Sequence, residues 1–129
     1  MSEMKLELVP VPTTDIDRAK AFYIEKAGFV LDHDVAPADG VRVVQLTPPG
    51  SACSIVLGRG LPGIEMPAGV LRGLHLVVHD LQAVRADLLT RGLETSEIQD
   101  MGGILYSGFE DPDGNSWALQ QIGHGGGGA

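Results

Sequence analysis

The feature that most constrains the fold of this chain is an internal repeat in its turn-forming and helix-capping residues. The matching pairs are Asp15 with Asp80, Gly28 with Gly92, Pro48 with Pro112 and Gly50 with Gly114, and each pair is 64 or 65 residues apart. A nearly constant offset of this kind indicates two copies of one supersecondary unit that pack against each other.

Each copy has the pattern of one strand, one helix and three further strands. Acidic residues at each helix start cap free N–H groups, and glycine ends each helix in the left-handed conformation. The helices are predicted from a cap at Thr14 or Asp15 to Gly28, and from Asp80 to Gly92. The strands are predicted, from hydrophobic runs between turn signals, at Leu6–Val11, Phe29–Val35, Val41–Leu46, Ser51–Leu57, Leu74–Val78, Glu94–Gln99, Ile104–Phe109 and Asn115–Ile122.

The repeat divides a single domain into two βαβββ modules. A chain of 129 residues can bury one core without disulfides or metals. The modules are predicted at about residues 5–58 and 73–122, joined by a linker rich in glycine and proline at 58–72. The tail 123–129 has no large apolar residue and is predicted to be disordered.

Charge and cysteine content limit the partners and the compartment. The formal net charge of −8 repels phosphate backbones, and the basic residues are spread along the chain, so neither nucleic acid nor an anionic membrane surface is expected as a partner. The start of the chain lacks the layout of a signal peptide, which predicts a cytoplasmic protein. The single cysteine, Cys53, agrees with a reducing compartment and is interpreted as a small buried hydrophobe.

Two segments carry a resemblance to a known family. The run from Asp15 to Tyr23 followed by Gly28-Phe29, and the run Phe109-Glu110-Asp111-Pro112-Asp113-Gly114-Asn115-Ser116-Trp117, resemble motifs of the vicinal oxygen chelate superfamily, which includes glyoxalases, bleomycin resistance proteins and extradiol dioxygenases. The likeness spans about residues 5–122. It implies an α+β fold in which two βαβββ modules form an incomplete mixed-sheet barrel around a cavity, and it implies a homodimer.

The resemblance also identifies the positions where metalloenzymes of this superfamily hold their metal. Those positions correspond to Leu8, Ser54, Leu74 and Ala118, which offer no adequate set of donors for a divalent cation. A register shift of one residue would place Glu7 and His75 there instead, because it turns every side chain to the other face of a sheet. Even then Cys53 and Trp117 would fill the remaining positions, so no metal site is predicted.

Other polar and aromatic residues divide between the cavity and the rest of the protein. Arg42, Gln45 and Tyr106 are candidate polar groups near the ligand cavity, together with Leu8, Ser54, Leu74 and Ala118 as its lining. Trp117 is predicted to pack in the core against the helix. The other histidines are given no role: His33 on an exposed strand, His79 at a loop rim and His124 in the tail.

These observations favour a small-molecule-binding protein of the glyoxalase and bleomycin-resistance type that needs no metal or other cofactor. An acidic protein suits a cationic or aromatic organic ligand. The alternative is a metal-dependent lyase, isomerase or dioxygenase of the same superfamily that uses Mn, Fe, Ni or Zn. A third interpretation is a non-catalytic domain that binds a partner and fills its cavity with its own side chains.

Overall fold

The computed structural model describes residues 2–122 and consists of two four-stranded mixed sheets and two helices. The predicted α+β class with two βαβββ units is confirmed, and the two sheets are not closed into a barrel. No helix within residues 2–122 is long and apolar enough to cross a membrane. The tail 123–129, for which disorder is predicted, lies outside the described residues.

The first sheet is built from residues 8–59. Its elements are β1 (Leu8–Pro10), α1 (Ile16–Ala21) continuing into a π-helical turn (Phe22–Lys26), β2 (Val30–Ala38), β3 (Val41–Thr47) and β4 (Ser54–Arg59). The strand order is β1-β4-β3-β2, with β1 parallel to β4 and the other neighbours antiparallel. The edge strand β2 is exposed along its whole length.

The second sheet repeats this topology. Its elements are β5 (Leu74–Val77), α2 (Leu81–Thr90), β6 (Gln99–Met101), β7 (Ile104–Glu110) and β8 (Ser116–Gln121). The strand order is β5-β8-β7-β6, again with one parallel pair and two antiparallel pairs. The internal repeat in the sequence is therefore a repeat in the structure.

The predicted helix boundaries are confirmed by their capping geometry. The Asp15 carboxylate accepts the Arg18 N–H at 3.1 Å, and the Asp80 carboxylate accepts the Ala83 N–H at 3.1 Å. These bonds satisfy backbone donors that have no partner within the helix. Gly92 follows α2 with φ at 87°, a conformation that costs glycine little.

Two segments differ from the pattern predicted from the sequence. The helix after Ala21 widens into a π turn instead of remaining α-helical, and the Phe29 N–H bonds the Tyr23 carbonyl at 2.8 Å. The strand predicted at Glu94–Gln99 begins only at Gln99, which makes that prediction wrong for the preceding residues. The backbone there is held partly by side chains, since Arg85 Nε donates to the Ser96 carbonyl at 3.0 Å.

One hydrophobic core joins the two modules. It contains residues from both helices and from one face of each sheet, including Ala19, Leu46, Leu81 and Leu119. Because successive side chains of a strand point to opposite faces, the remaining face of each sheet points away from this core. We call that remaining side the open face of the first or the second sheet.

A polar network lies inside this core and crosses the module boundary. Tyr23 of the first module is 0% exposed, and its hydroxyl donates to Asp111 Oδ2 at 2.6 Å. The same hydroxyl accepts from Trp117 Nε1 at 2.9 Å. Asn115 Nδ2 donates to Asp111 Oδ2 and to the Pro12 carbonyl, both at 2.9 Å. Burial, and then the neighbouring Asp111 carboxylate, raise the pKa of the Tyr23 phenol, so it remains a donor.

Aromatic rings surround the network. Trp117 is buried, as predicted, and it stacks on Phe109 with ring centroids 6.0 Å apart and planes 8° from parallel. Phe29 approaches Trp117 edge-on at 5.6 Å. Such pairs stabilise a core beyond the area that they bury, and here they join rings from both modules.

We expect Tyr23→Phe to lower the free energy of unfolding by about 2 kcal/mol, because the Trp117 N–H and an Asp111 oxygen lose a buried partner. Urea denaturation measures this change. The matched control is Tyr106→Phe on the second sheet's open face, which should cost no more than about 0.5 kcal/mol. Equal costs at the two positions would contradict a special role for the buried network.

Candidate functional site

The open face of the second sheet combines small, aromatic and neutral polar side chains. His75 of β5 pairs with Ala118 of β8, and Ala118 pairs with Gly108 of β7, which forms one row across three strands. The next row contains Gln120 of β8 and Tyr106 of β7. Ala118 and Gly108 leave a flat area of sheet beside two larger polar rings.

Backbone packing keeps that area flat. A Cβ added at Gly108 would come within 2.9 Å of the Trp117 carbonyl oxygen, so a side chain there would force the strands apart. Glycine within a strand often marks a place where another molecule can approach the backbone closely. The flat area formed by Gly108 and Ala118, here called the platform, can therefore accept a planar group.

Hydrogen bonds orient the two rings that border the platform. His75 Nδ1 is 2.5 Å from the Gly73 carbonyl oxygen, and Gln120 Nε2 donates to the Tyr106 hydroxyl oxygen at 3.1 Å. The rings of His75 and Tyr106 meet edge-to-face, with centroids 6.3 Å apart and planes at 89°. His75 is exposed on the open side, whereas Tyr106 is half-buried.

The open face of the first sheet has a different character. Leu8 pairs with Ser54 across the parallel strands, and Gln45 lies further along on the same face. The Thr47 hydroxyl is 2.6 Å from the Ser54 hydroxyl and also bonds Asp32. Hydroxyl, carboxylate and aliphatic groups thus replace the imidazole and phenol of the second sheet.

Three residues predicted to line a ligand cavity lie on the first sheet's open face, namely Leu8, Gln45 and Ser54. Tyr106 and Ala118 lie on the second sheet's open face. The structure places Leu74 elsewhere, because it pairs with the buried Trp117 and packs against the core. Its neighbour His75 occupies the open face instead.

Arg42 also points away from the open face. Its side chain lies on the helix side of β3, where Arg42 Nη2 is 3.0 Å from Asp34 Oδ2 and Arg42 Nη1 is 2.8 Å from Asp17 Oδ1. Hydrogen bonds from Arg42, and then from Lys20, lower the pKa of Asp34 to about 2. The guanidinium is thus engaged in an ion-pair cluster next to α1.

The pairing of the strands shows which residues of the two modules occupy equivalent positions. Leu8 pairs with Ser54 in the first module and His75 pairs with Ala118 in the second, so Leu8 and His75 are equivalent. Seven positions separate Leu8 from Asp15, but five separate His75 from the matching Asp80. Because the second strand–helix connection is two residues shorter, counting back from the helix cap does not find the equivalent residue.

The four positions that the superfamily uses for a metal are therefore Leu8, Ser54, His75 and Ala118. They provide one imidazole and one hydroxyl, and the Ser54 hydroxyl already bonds Thr47. Glu7 precedes Leu8, so alternation turns it to the opposite side of β1. Within residues 2–122 no group of three or more His, Cys, Asp or Glu side chains could hold a metal ion. This donor set does not fit a divalent cation, which needs several converging N, O or S ligands.

A separate cavity of about 390 Å³ lies at the seam between the modules. Pro48 and Pro49 of the first module border it, together with Val84 and Leu88 of α2. None of the seven residues predicted for the ligand cavity contributes to its lining. Its charged residues Asp87 and Arg91 pair with each other at 3.0 Å, so this cavity is mainly an apolar space.

Comparison with known proteins agrees with this architecture. The sequence profile of the Glyoxalase/Bleomycin resistance protein/Dioxygenase superfamily matches residues 5–119. This match covers most of the chain, and the chain belongs to that superfamily. A search of curated proteins found no match.

Solved structures of the same superfamily superpose closely on this chain. One is TnmS3, an antibiotic binding protein from Streptomyces sp. CB03234, at 36% identity and a TM-score of 0.79 over 94% of this chain and 98% of that one. A glyoxalase/bleomycin resistance protein from the same strain shows 38% identity and a TM-score of 0.76 over 91% of this chain and 100% of that one. A superfamily member from Sphaerobacter thermophilus DSM 20745 shows 25% identity and a TM-score of 0.77 over 92% and 98%.

We expect Asp34→Asn to lower the free energy of unfolding by about 1 kcal/mol at pH 7, because it removes the ion pairs with Arg42 and Lys20. A folded-state pKa of about 2 lies below the unfolded value of about 3.9, so this stability is present above pH 3.9 and is lost as the pH falls towards 2. Denaturation of both proteins between pH 7 and pH 2 measures the difference. Asp87→Asn, which removes a more exposed ion pair, is the control and should cost less than about 0.5 kcal/mol. A difference for Asp34→Asn that persists unchanged at pH 2 would contradict this account.

Proposed function

We propose that this protein binds a small organic molecule on its open faces and does so without a metal or other cofactor. The observation that carries the proposal is the second sheet's open face, where the flat area at Gly108 and Ala118 lies beside the rings of His75 and Tyr106. Small-molecule sites combine apolar surface with a few oriented polar groups in this way. The similarity to an antibiotic binding protein supports a binding function of the same general kind.

The chemistry of this face favours an aromatic ligand. The only charged side chain on the open face among the residues of β5–β8 is Glu110, which lies at the strand end and is 3.6 Å from Arg72. A planar ring can lie on the platform and contact the imidazole and phenol at its border. A cationic group on the ligand would also be attracted by the net charge of −8.

We also propose that a second copy of the chain covers the open faces and completes the ligand cavity. Several apolar side chains are exposed there: Val30 at 55%, Val35 at 49%, Val77 at 69% and Met101 at 61%. Val30 and Val35 lie on an edge strand of the first sheet, and Val77 and Met101 on the two edge strands of the second, so a partner as broad as a sheet is needed to cover them. Two chains that each carry a charge of −8 repel least where the facing surfaces carry few charges, and on the second sheet's open face the strands carry only Glu110. We further propose that the protein is cytoplasmic, since a chain with a single cysteine forms no internal disulfide and is compatible with a reducing compartment.

We expect protein purified without chelators to contain less than about a tenth of an equivalent of Mn, Fe, Ni or Zn per chain. Elemental analysis measures the content, and thermal denaturation with each added metal should show no rise in Tm, since a specific ligand stabilises the fold that it binds. His75→Phe is the matched variant, because it removes the one nitrogen donor among the four candidate positions. A stoichiometric metal that this variant loses would contradict the proposal and would favour the lyase, isomerase or dioxygenase alternative.

We expect the wild-type chain to sediment as a homodimer at micromolar concentration and Val77→Glu to shift it towards the monomer. The added carboxylate would face a neutral surface of the second copy without a partner. Leu89→Glu is the control, because Leu89 is 44% exposed but lies on α2, away from the open faces. Sedimentation velocity gives the masses. A monomeric wild type, or equal dissociation of both variants, would contradict the dimer.

A further inference from the structure

The polar groups that border the platform have fixed hydrogen-bonding directions, and these directions select a class of ligand. A carbonyl oxygen can only accept, so the proton of the neutral His75 ring is on Nδ1, which donates to the Gly73 carbonyl at 2.5 Å. Nε2 is then a hydrogen-bond acceptor. It has no hydrogen-bond partner within residues 2–122, and the side chain is exposed.

Tyr106 has the opposite polarity. Its oxygen accepts from Gln120 Nε2 at 3.1 Å, which occupies an acceptor position and leaves the hydroxyl proton directed elsewhere. Within the described residues this proton has no acceptor. The Tyr106 hydroxyl is therefore a donor towards any molecule on the platform.

We propose that the second sheet's open face selects planar aromatic molecules that carry both a hydroxyl group and a carbonyl group. The ligand hydroxyl donates to His75 Nε2, and the ligand carbonyl accepts from the Tyr106 hydroxyl. The aromatic framework lies on Gly108 and Ala118, beside the edge-to-face contact between the His75 and Tyr106 rings. This inference rests on the proposed function, because it assigns the ligand class of the same face.

The rejection of mismatched ligands follows from the same geometry. A ligand that placed a carbonyl oxygen against His75 Nε2 would bring two acceptors together with no proton between them, whereas a ligand hydroxyl can donate to Nε2. Leaving a desolvated donor or acceptor without a partner costs more than a good hydrogen bond contributes. The His75 ring therefore discriminates by polarity as well as by shape.

The test uses four naphthalene probes that differ only in these groups: 6-acetyl-2-naphthol, 2-naphthol, 2-acetylnaphthalene and naphthalene. Each is titrated against the full chain and binding is followed by fluorescence. We expect the hydroxyl and the acetyl group each to raise the affinity about fivefold to tenfold, as one hydrogen bond does. 6-Acetyl-2-naphthol should bind most tightly.

Two variants separate the hydrogen bonds. His75→Phe should abolish the preference for the hydroxyl and keep the preference for the acetyl group. Tyr106→Phe should do the reverse. A general disturbance of the site would weaken all four probes alike, so this crossed pattern is the diagnostic result. His79→Phe, the same substitution at an exposed histidine before α2, should change neither preference.

Ala118→Trp distinguishes failure of this inference from failure of the proposed function, because it fills the platform. If all four probes bind with similar affinity and Ala118→Trp abolishes that binding, the site stands and the polarity assignment is overturned. Preferences that survive in His75→Phe and Tyr106→Phe overturn it as well. If no probe binds the wild-type chain up to its solubility limit, both the ligand class and the aromatic site proposed above are overturned.

Discussion

The arrangement of this protein depends on the hydrogen bond between Tyr23 of the first module and Asp111 of the second. Its donor is fully buried, and the same phenol oxygen accepts from Trp117. A buried carboxylate costs free energy unless its oxygens are paired, and here Tyr23 and Asn115 both donate to it. Because the two modules share these groups, their helix-side faces are held against one core and their open faces must point outwards.

Each sheet therefore has one face that packs in the core and one face that is available for binding. On the helix side, Trp117, Phe109 and Leu119 fill the core and tolerate little change. On the open side, His75, Tyr106 and Ser54 bond neighbouring groups but do not fill the core, so their chemistry is less constrained by the packing between the modules. This separation explains how one superfamily can contain lyases, dioxygenases and antibiotic-binding proteins, since the scaffold does not fix what stands on the open faces.

The two modules have the same topology, but equivalent positions on their open faces carry different side chains. Where the first module has Leu8, the second has His75, and where the first has Ser54, the second has Ala118. A metal site in this fold draws its donors from equivalent positions of both modules, and here only one of the four is a strong donor. The loop before β8 also joins the two modules, because the Asp113 carboxylate accepts hydrogen bonds from the Thr13 and Thr14 hydroxyls just before α1. Burial opposes ionisation of Asp113, but these hydrogen bonds outweigh it and lower its pKa.

The sequence by itself determined the repeat, the helix caps at Asp15 and Asp80, most of the strands and the burial of Trp117, because capping, turns and hydrophobic periodicity are local properties. It did not determine which side chains share a face. Because the second strand–helix connection is two residues shorter than the first, His75 and not Leu74 lies on the open face. No local pattern in the sequence predicts this difference. Arg42 is a similar case, since its partners Asp34 and Asp17 lie on other elements. Only tertiary packing decided the open faces, because strand register and ion pairing depend on residues that are distant in the chain.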